Sequence, residues 1–313
     1  MESRPFGSTG IDVSAIGLGA WQLGRSANWP DGPDEAEAVR IVHAALDAGV
    51  AFIDTAPGYA DGASEVNIGR ALSTTDRRPV ICTKFGYTPE GETNWSADAI
   101  EASVERSARR MNVDHVDVVV LHNPPPEILD GSRGDHYEVL QRLVDKGTIR
   151  AYGSSVDRGA DIDTVLETSA STALEVRLSA LYQEPWAAMG RARDKGVGTI
   201  IKVPLESGWL SGRYTADSQF TDVRARWSRE DIAVRAALVE EFRALLPAGV
   251  GPVEGALRFL LAYDAVSTVI PGTKSVAQLE SSLRAVAEPL PADSVAAVRS
   301  WYDTRLAAKP LDW

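Results

Sequence analysis

The side chains with the most distinctive chemistry lie at or just after the ends of β-rich runs in the first half of the chain. Asp54 ends the run at 51–54, Lys84 ends the run at 80–84, and His122 ends the run at 116–122. Tyr59 follows Asp54 by five residues. If these runs are parallel strands of a barrel, their carboxyl ends meet at one mouth, where a carboxylate, a phenol, an ammonium and an imidazole converge.

This set of groups can transfer a proton to a carbonyl oxygen. A phenol has an ordinary pKa of about 10 and is a poor acid at neutral pH, but a neighbouring ammonium lowers that value. Lys84 can therefore tune Tyr59, and Asp54 can supply the counter-charge that a buried ammonium requires. A neutral His122 can orient a carbonyl oxygen while Tyr59 delivers the proton. The set suits reduction of a carbonyl, or oxidation of an alcohol in reverse.

Each of these residues also has a purely structural interpretation. Asp54 and Lys84 could form a buried ion pair with no part in catalysis. Tyr59 could be an ordinary loop aromatic, and His122 could simply end its strand. The occurrence of all four after consecutive β-rich runs favours the chemical interpretation.

Short β-rich runs alternate with longer segments of helical spacing through the 313 residues. Near-continuous apolar runs such as VDVVVL are typical of parallel strands covered by helices on one side and a core on the other. The length suits a barrel of roughly 250 residues with insertions. We predict a single-domain α/β fold over 1–313, a (β/α)8 TIM barrel. The predicted strands are 16–19, 51–54, 80–84, 116–122, 149–154, 173–176, 198–202 and 268–270.

Several segments depart from this alternation. Residues 4–13 predict an N-terminal β-hairpin, and residues 290–313 predict a final helix with an extended end. Residues 123–135 and 204–226 predict long loops, which we expect at the carboxyl face of the barrel. At two helix starts, Asp34 and Ser64 are predicted to be N-caps.

The composition excludes several classes of function. Hydrophobic residues make up 44% and charged residues 24%, as in ordinary globular proteins. With a net charge of −12, a nucleic-acid partner is not expected. No apolar run approaches the roughly 18 residues of a membrane span, and no signal peptide is evident, which favours the cytoplasm. The single cysteine, Cys82, is predicted to be an inert core thiol, and no metal site is predicted.

Four stretches of the chain together resemble the aldo-keto reductases. They are FIDTAPGYADGASEVNIGRAL, VICTKFG, VDVVVLHNP and VIPGTKSVAQLESSL. The resemblance extends over nearly the whole chain and includes the order of Asp54, Tyr59, Lys84 and His122. It implies that Tyr59 is the acid, that Lys84 and Asp54 tune it, and that His122 orients the carbonyl.

The expected cofactor site does not use the dinucleotide-binding fingerprint, because no GxGxxG links the first strand to a helix. Instead, PGTKS follows the last strand and precedes a helix, where backbone N–H groups could bind an anion. The resemblance makes this the site of the adenosine 2′-phosphate, and so implies NADPH in preference to NADH. The residues that it assigns to this end are Gly272, Thr273, Lys274, Ser275, Gln278 and Ser282, the last at a position where the family usually has Asn.

The resemblance assigns further cofactor contacts to the loop PLESGWLSGRY, which would fold over the pyrophosphate. These contacts are Pro204, Leu205, Gly208, Leu210 and Gly212. A third group would hold the nicotinamide, namely Ser154, Ser155, Glu175 and Lys202.

Three of the nicotinamide positions depart from the family pattern. Val156 stands where an amide is common, Glu175 where Gln is usual, and Lys202 where an aromatic residue or Arg covers the ring. A carboxylate accepts hydrogen bonds but cannot donate to the carboxamide oxygen. A lysine stem covers a ring less well than an aromatic plane does.

Tryptophans near the predicted mouth suggest an aromatic wall for a small substrate. Trp21, Trp29 and Trp95 follow early strands or loops, and Trp209 lies in the cofactor loop. Such a wall suits an apolar or moderately polar aldehyde or ketone. Each tryptophan could instead only pack a loop onto the barrel rim.

Two other functions use the same residues differently. One is a regulatory module that binds NADPH, senses its redox state and turns over slowly. The other is a lyase or isomerase in which Lys84 forms a Schiff base, which would leave Tyr59 and PGTKS without a role. The intact set of four residues favours the reductase.

Overall fold

The computed structural model describes residues 1–284 and 287–311, so the end of the predicted tail lies outside the described residues. Two strands form an antiparallel pair near the amino terminus and eight form a parallel sheet. The strands are β1 (Ser3–Pro5), β2 (Asp12–Ser14), β3 (Leu18–Gly19), β4 (Phe52–Asp54), β5 (Val80–Phe85), β6 (Val118–His122), β7 (Ala151–Val156), β8 (Ala173–Arg177), β9 (Gly198–Lys202) and β10 (Thr268–Val269).

The parallel sheet runs from β3 to β10 in chain order, each strand pairing with the next. Parallel bridges join Ile16 to Val269 and Gly19 to Gly272, so the two edges of the sheet meet. Strands such as β7 are buried along their whole length, because helices cover the outside of the sheet and side chains fill its inside. The predicted (β/α)8 barrel is confirmed.

Helices connect the strands. The first has the predicted cap, in which Glu37 N–H donates to the Asp34 carboxylate over 2.9 Å. The predicted cap at Ser64 is wrong, because the helix begins at Ala63 and Gly62 is its N-cap. The buried Ser64 hydroxyl instead donates to the Ala20 carbonyl. The helices are α1 (Glu35–Asp47), α2 (Ala63–Leu72), α3 (Ile100–Met111), α4 (Pro126–Leu129), α5 (His136–Asp145), α6 (Gly159–Thr168), α7 (Trp186–Asp194), α8 (Arg229–Ala244), α9 (Pro252–Leu261), α10 (Val276–Arg284) and α11 (Ala292–Arg305).

The predicted hairpin, formed by β1 and β2, covers the amino-terminal end of the barrel. Phe6, directly after β1, is fully buried in a cluster that includes the first residues of several strands, such as Phe52 and Ala151. The ring centroids of Phe6 and Phe52 are 6.1 Å apart. Access to the barrel interior is therefore left to the opposite end, where the strands present their carboxyl-terminal residues.

The loop at 204–226 has a defined shape over this open end. It contains two 3-10 turns, Glu206–Ser211 and Val223–Arg226. Glu206 and Ser207 have positive φ values of 48° and 54°, a conformation that persists only where the surroundings hold it. The buried Glu206 carboxylate supplies such an anchor, since it accepts hydrogen bonds from Arg177 at 2.8 Å and from Ser179 at 2.7 Å.

The close approach of β7 and β8 generates a test of the barrel packing. A Cβ atom at Gly153 would overlap the carbonyl oxygen of Ala173 on the neighbouring strand. We expect Gly153→Ala to lower the free energy of unfolding by about 3 kcal/mol, measured by urea denaturation, because neither backbone can move without breaking the ladder. Gly251→Ala is the control, since Gly251 faces open space, and a loss below about 1 kcal/mol is expected there. Equal losses would contradict this description.

Candidate active site

The carboxyl ends of β4 and β5 bring Asp54 and Lys84 into direct contact. The Lys84 ammonium donates to the Asp54 carboxylate and to the Thr55 carbonyl, the latter over 3.2 Å. The Lys84 side chain is 0% exposed and the Asp54 side chain 3% exposed. A charge so far from water requires close partners of opposite sign.

A second carboxylate, Glu175 of β8, reaches the same ammonium from across the barrel. Its Oε2 lies 2.8 Å from Lys84 Nζ, and its side chain is 2% exposed. The resemblance assigned Glu175 to the nicotinamide, and the structure places it beside Lys84 as well as on the cavity wall. This ion pair could have been predicted from the sequence, because an acidic residue that faces the inside of a barrel is buried and needs a cationic partner there.

Tyr59 stands over this ion-pair cluster. It begins the 3-10 turn Tyr59–Gly62, in which Ala60 and Asp61 have positive φ values of 50° and 55°. The Lys84 Nζ atom is 5.2 Å from the centroid of the Tyr59 ring. The ring of His122, at the end of β6, is 5.7 Å from that of Tyr59, nearly perpendicular to it. The four predicted catalytic side chains thus meet at one mouth.

The surroundings of this cluster shift the pKa values of its members. Burial raises the pKa of Tyr59 well above its ordinary value, while the Lys84 ammonium lowers it in part. The pKa of Asp54 is raised to about 7 by burial and then by Glu175, against the opposing effect of Lys84. The pKa of Lys84 is raised well above its ordinary value by the two carboxylates, although burial opposes them. Lys84 is therefore an ammonium near neutral pH.

His122 is neutral at physiological pH. Burial, followed by the positive charges of Lys84 and Lys202, lowers its pKa well below the ordinary value. Its Nδ1 atom is buried and has no hydrogen-bond partner among the described residues. A neutral imidazole carries one N–H donor and one acceptor, so His122 can donate to an oxygen without adding a positive charge beside Lys84.

A cavity of about 880 Å³ extends from this cluster along the open end of the barrel. Its volume is in the range found for sites that bind small molecules and cofactors. Tyr59, His122 and Glu175 line one part, and Lys274 lines another. Of the other predicted cofactor residues, those on the wall are Lys202, Pro204, Leu205, Gly208, Gly272, Gln278 and Ser282.

Six predicted cofactor residues do not line this cavity. Ser154 is fully buried and hydrogen-bonded to the Tyr137 hydroxyl at 2.9 Å, and Leu210 is also fully buried. Ser155 does not line the cavity itself but bonds to two residues that do, since the Lys202 ammonium donates to its hydroxyl over 2.8 Å and that hydroxyl donates to Asn123 over 3.1 Å. The remaining three are Gly212, Thr273 and Ser275.

Lys202 is held in place at the end of β9. Its ammonium donates to Asn123 at 2.7 Å and to Ser155 at 2.8 Å, and it lies 2.9 Å from an Asp157 carboxylate oxygen. An ammonium has three N–H donors, and three acceptors surround this one. Lys202 therefore presents mainly its stem to the cavity and leaves no positive charge unbalanced there.

Two cationic side chains lie close to the ring of Trp29, which lines the cavity. Lys274 Nζ is 4.4 Å from a Trp29 ring centroid and contacts the Asp31 carboxylate, while the Arg224 guanidinium is 5.2 Å from the ring. Arg213 also lines the wall. No pattern in the sequence indicated Asp31, Arg213 or Arg224, because their loops come together only in the folded chain.

The predicted tryptophans take different positions. Trp21 and Trp29 line the cavity and pack edge to face, with ring centroids 5.1 Å apart. Trp95 is not on the wall but packs against Phe85. Trp209 is fully buried under the loop. Tyr87, which sequence reasoning missed, lines the cavity 5.0 Å from the His122 ring.

The barrel and its cluster define the class of protein as a barrel oxidoreductase. The chain belongs to the aldo/keto reductase family, whose model matches residues 15–303. The resemblance noted in the sequence is thereby confirmed. Members of this family use nicotinamide cofactors. Within the described residues, no helix has the length and apolar character that crossing a membrane requires.

Several characterised proteins are similar over most of their length. An aldo-keto reductase of Schizosaccharomyces pombe named for NADP(+) is 30% identical over an alignment of 323 residues, gaps included. The alignment covers 96% of this chain and 92% of that protein. The NADH-specific methylglyoxal reductase of Escherichia coli is 29% identical over 273 residues, covering 78% and 81%. Among solved structures, the glycerol dehydrogenase of Gluconobacter oxydans matches with a TM-score of 0.82 at 26% identity, covering 99% and 97%.

The buried ion pairs predict how stability depends on Lys84. Lys84→Met leaves the carboxyls of Asp54 and Glu175 without a cation, and we expect a loss of about 3–5 kcal/mol in the free energy of unfolding near neutral pH. The Asp54 pKa, already raised from 3.8 to about 7, must rise further in this variant. The folded variant then keeps a proton on Asp54 that the folded wild type releases near pH 7, so the loss relative to the wild type should grow as the pH rises above about 7.

This stability prediction is checked by urea unfolding of both proteins at pH 5 and pH 8. Lys146→Met is the control, because Lys146 forms an exposed pair with Glu101. A loss in Lys84→Met that is the same at both pH values would show that the variant suffers from altered packing and not from uncompensated charge.

Proposed function

We propose that the chain is an NADPH-dependent reductase that converts an aldehyde or ketone into an alcohol, reversibly, with Tyr59 as the proton donor. The observation that carries this proposal is the convergence of Tyr59 and His122 on one cavity, with the buried Lys84 beside Tyr59 and with Lys274 on the wall of the same cavity. A reacting carbonyl can reach the donor groups while a long cofactor lies along the same wall.

The residues present fit a dinucleotide phosphate. The cavity wall carries three cationic side chains, Lys274, Arg213 and Arg224, of which Lys274 contacts the Asp31 carboxylate and Arg224 contacts that of Asp222. Arginine and lysine are the side chains that bind phosphate groups. Gly208 and Gly272 also line the cavity and expose backbone there instead of a side chain. When bound, the reduced nicotinamide supplies a hydride to the carbonyl carbon.

Each catalytic side chain then has a defined task at the carbonyl oxygen. The neutral His122 donates a hydrogen bond that positions the oxygen. Tyr59 donates its phenolic proton to that oxygen as negative charge develops on it. Lys84 stabilises the phenolate that remains, and Asp54 holds Lys84 in place. In the reverse direction the phenolate takes the alcohol proton back.

The wall near Tyr59 favours a carbonyl substrate with apolar or moderately polar substituents. Trp21 and Tyr87 provide aromatic surface on either side of Tyr59 and His122. Aromatic surface of this kind stabilises apolar groups by removing them from water.

A Schiff-base mechanism at Lys84 is disfavoured. An amine must be unprotonated to attack a carbonyl. The two carboxylates raise the pKa of Lys84, and its side chain is 0% exposed, so a free and accessible amine does not form near neutral pH.

The first test of the proposed function removes the proton donor. Tyr59→Phe should lower kcat for NADPH-dependent reduction of an aromatic aldehyde by about 100-fold or more, because general-acid catalysis contributes at least that much. Cofactor binding, followed by protein fluorescence, should be retained. Tyr152→Phe is the matched control, since its hydroxyl bonds to Gln141 outside the cavity. Full turnover by Tyr59→Phe would refute the assignment.

The second test addresses the choice of cofactor. Lys274→Met should raise the Kd for NADPH by about 10- to 100-fold, the equivalent of one charge-assisted hydrogen bond, and change the Kd for NADH much less. Binding is measured by fluorescence titration of both cofactors. Lys195→Met serves as the control, because Lys195 bonds to the Leu166 carbonyl on the outside of the barrel. A parallel change for both cofactors would contradict a 2′-phosphate site at Lys274.

A further inference from the structure

We propose that Glu175 is a positioning residue whose negative charge keeps Tyr59 in its protonated, donating form over a wider range of pH. This inference rests on the proposed function, because it takes Tyr59 to be the proton donor. Its basis is that two carboxylates surround one ammonium, whereas a single carboxylate would balance the charge of a buried lysine.

The geometry places both carboxylates against Lys84 from separate strands. Asp54, on β4, accepts a hydrogen bond from the ammonium, and Glu175, on β8, lies 2.8 Å from it. One oxygen from each carboxylate and the Cys82 Sγ atom all lie within 4.8 Å of one another. All of these side chains are buried, so water screens their charges very little. Glu175 therefore acts on the same ammonium that faces Tyr59.

The charge of this cluster decides how strongly it favours a phenolate. Asp54 and Lys84 alone would be neutral as a pair. With Glu175 ionised as well, the cluster carries one net negative charge and opposes ionisation of the nearby phenol. The other groups that face the cluster are the Cys82 thiol on β5 and the His122 imidazole on β6. Both stay neutral near neutral pH, since burial raises the pKa of the Cys82 thiol and lowers that of the His122 imidazole.

The pKa directions agree with this assignment. Burial is the main cause that raises the pKa of Tyr59; Lys84 opposes it, and Asp54 and Glu175 add to it. Glu175 also contributes, after burial, to raising the pKa of Asp54 to about 7. Above that pH Asp54 is ionised, and the negative charge around Lys84 acts on Tyr59 in the alkaline range where a donor phenol would otherwise be lost.

The test replaces the charge and keeps the shape. Glu175→Gln should move the alkaline limb of kcat/KM for carbonyl reduction to lower pH by roughly one unit, because one unit is typical for the loss of a nearby like charge. The pH at which the rate of alcohol oxidation reaches its plateau should fall by the same amount. Glu65→Gln is the matched control, a buried glutamate paired with Arg110 at 2.5 Å on the outside of the barrel, and its profile should stay in place.

A readout that does not depend on turnover follows the phenol itself. Protein labelled with 13C at the tyrosine Cζ position is titrated by NMR, and Tyr59→Phe identifies the resonance. The Tyr59 signal should titrate at lower pH in Glu175→Gln than in the wild type. Glu175→Met, neutral and of similar length, provides the same comparison if the amide disturbs folding, whereas Glu175→Asp retains the charge and should retain the wild-type limb.

The outcomes separate this inference from the proposed function. If Tyr59→Phe abolishes turnover and the neutral variants leave both the alkaline limb and the NMR titration unchanged, the role of Glu175 is refuted and the reductase stands. Equal shifts in Glu175→Asp and Glu175→Gln would assign the effect to shape and also refute it. Full turnover by Tyr59→Phe would overturn the proposed function instead.

Discussion

The structure of the site depends on the burial of one ammonium group, that of Lys84. Moving such a charge out of water is costly, and the cost is offset only by close, well-placed partners. Strands β4 and β8 each contribute a carboxylate to it, and the Thr55 carbonyl accepts a further hydrogen bond. These contacts fix the position of Lys84, and through it the electrostatic environment of Tyr59. A barrel that closed with a different register could not satisfy this ammonium.

The closed barrel separates stability from chemistry. At the amino-terminal end, Phe6 and the first residues of the strands form a packed apolar cluster beneath the hairpin. At the carboxyl end, the polar residues that end the strands surround a cavity, and loops form its outer wall. Because parallel strands all end at the same face, residues distant in sequence are brought together there without any local motif. The strained turns at Ala60 and Ser207 shape that wall.

Much of this arrangement could be predicted from residue patterns. The apolar runs predicted the eight strands to within a few residues, since a strand buried on both faces leaves a clear hydrophobic signal. The candidate catalytic residues could be selected by position. Asp54, Lys84 and His122 each end a predicted strand, and Tyr59 follows Asp54 by five residues. The cap at Ser64 was predicted wrongly, because a local helix signal competed with a tertiary hydrogen bond to Ala20.

The sequence by itself determined the order of strands, through local periodicity, and the candidate catalytic side chains, through their spacing from those strands. Its motifs carried the resemblance to the family. Only the tertiary structure decided which charges meet. It paired Glu175 with Lys84 and Asp31 with Lys274. It also placed two acceptors, Asn123 and Asp157, around the Lys202 ammonium. A direct ion pair requires its nitrogen and oxygen to approach within about 4 Å, so these contacts depend on distances between strands and loops that no linear pattern encodes.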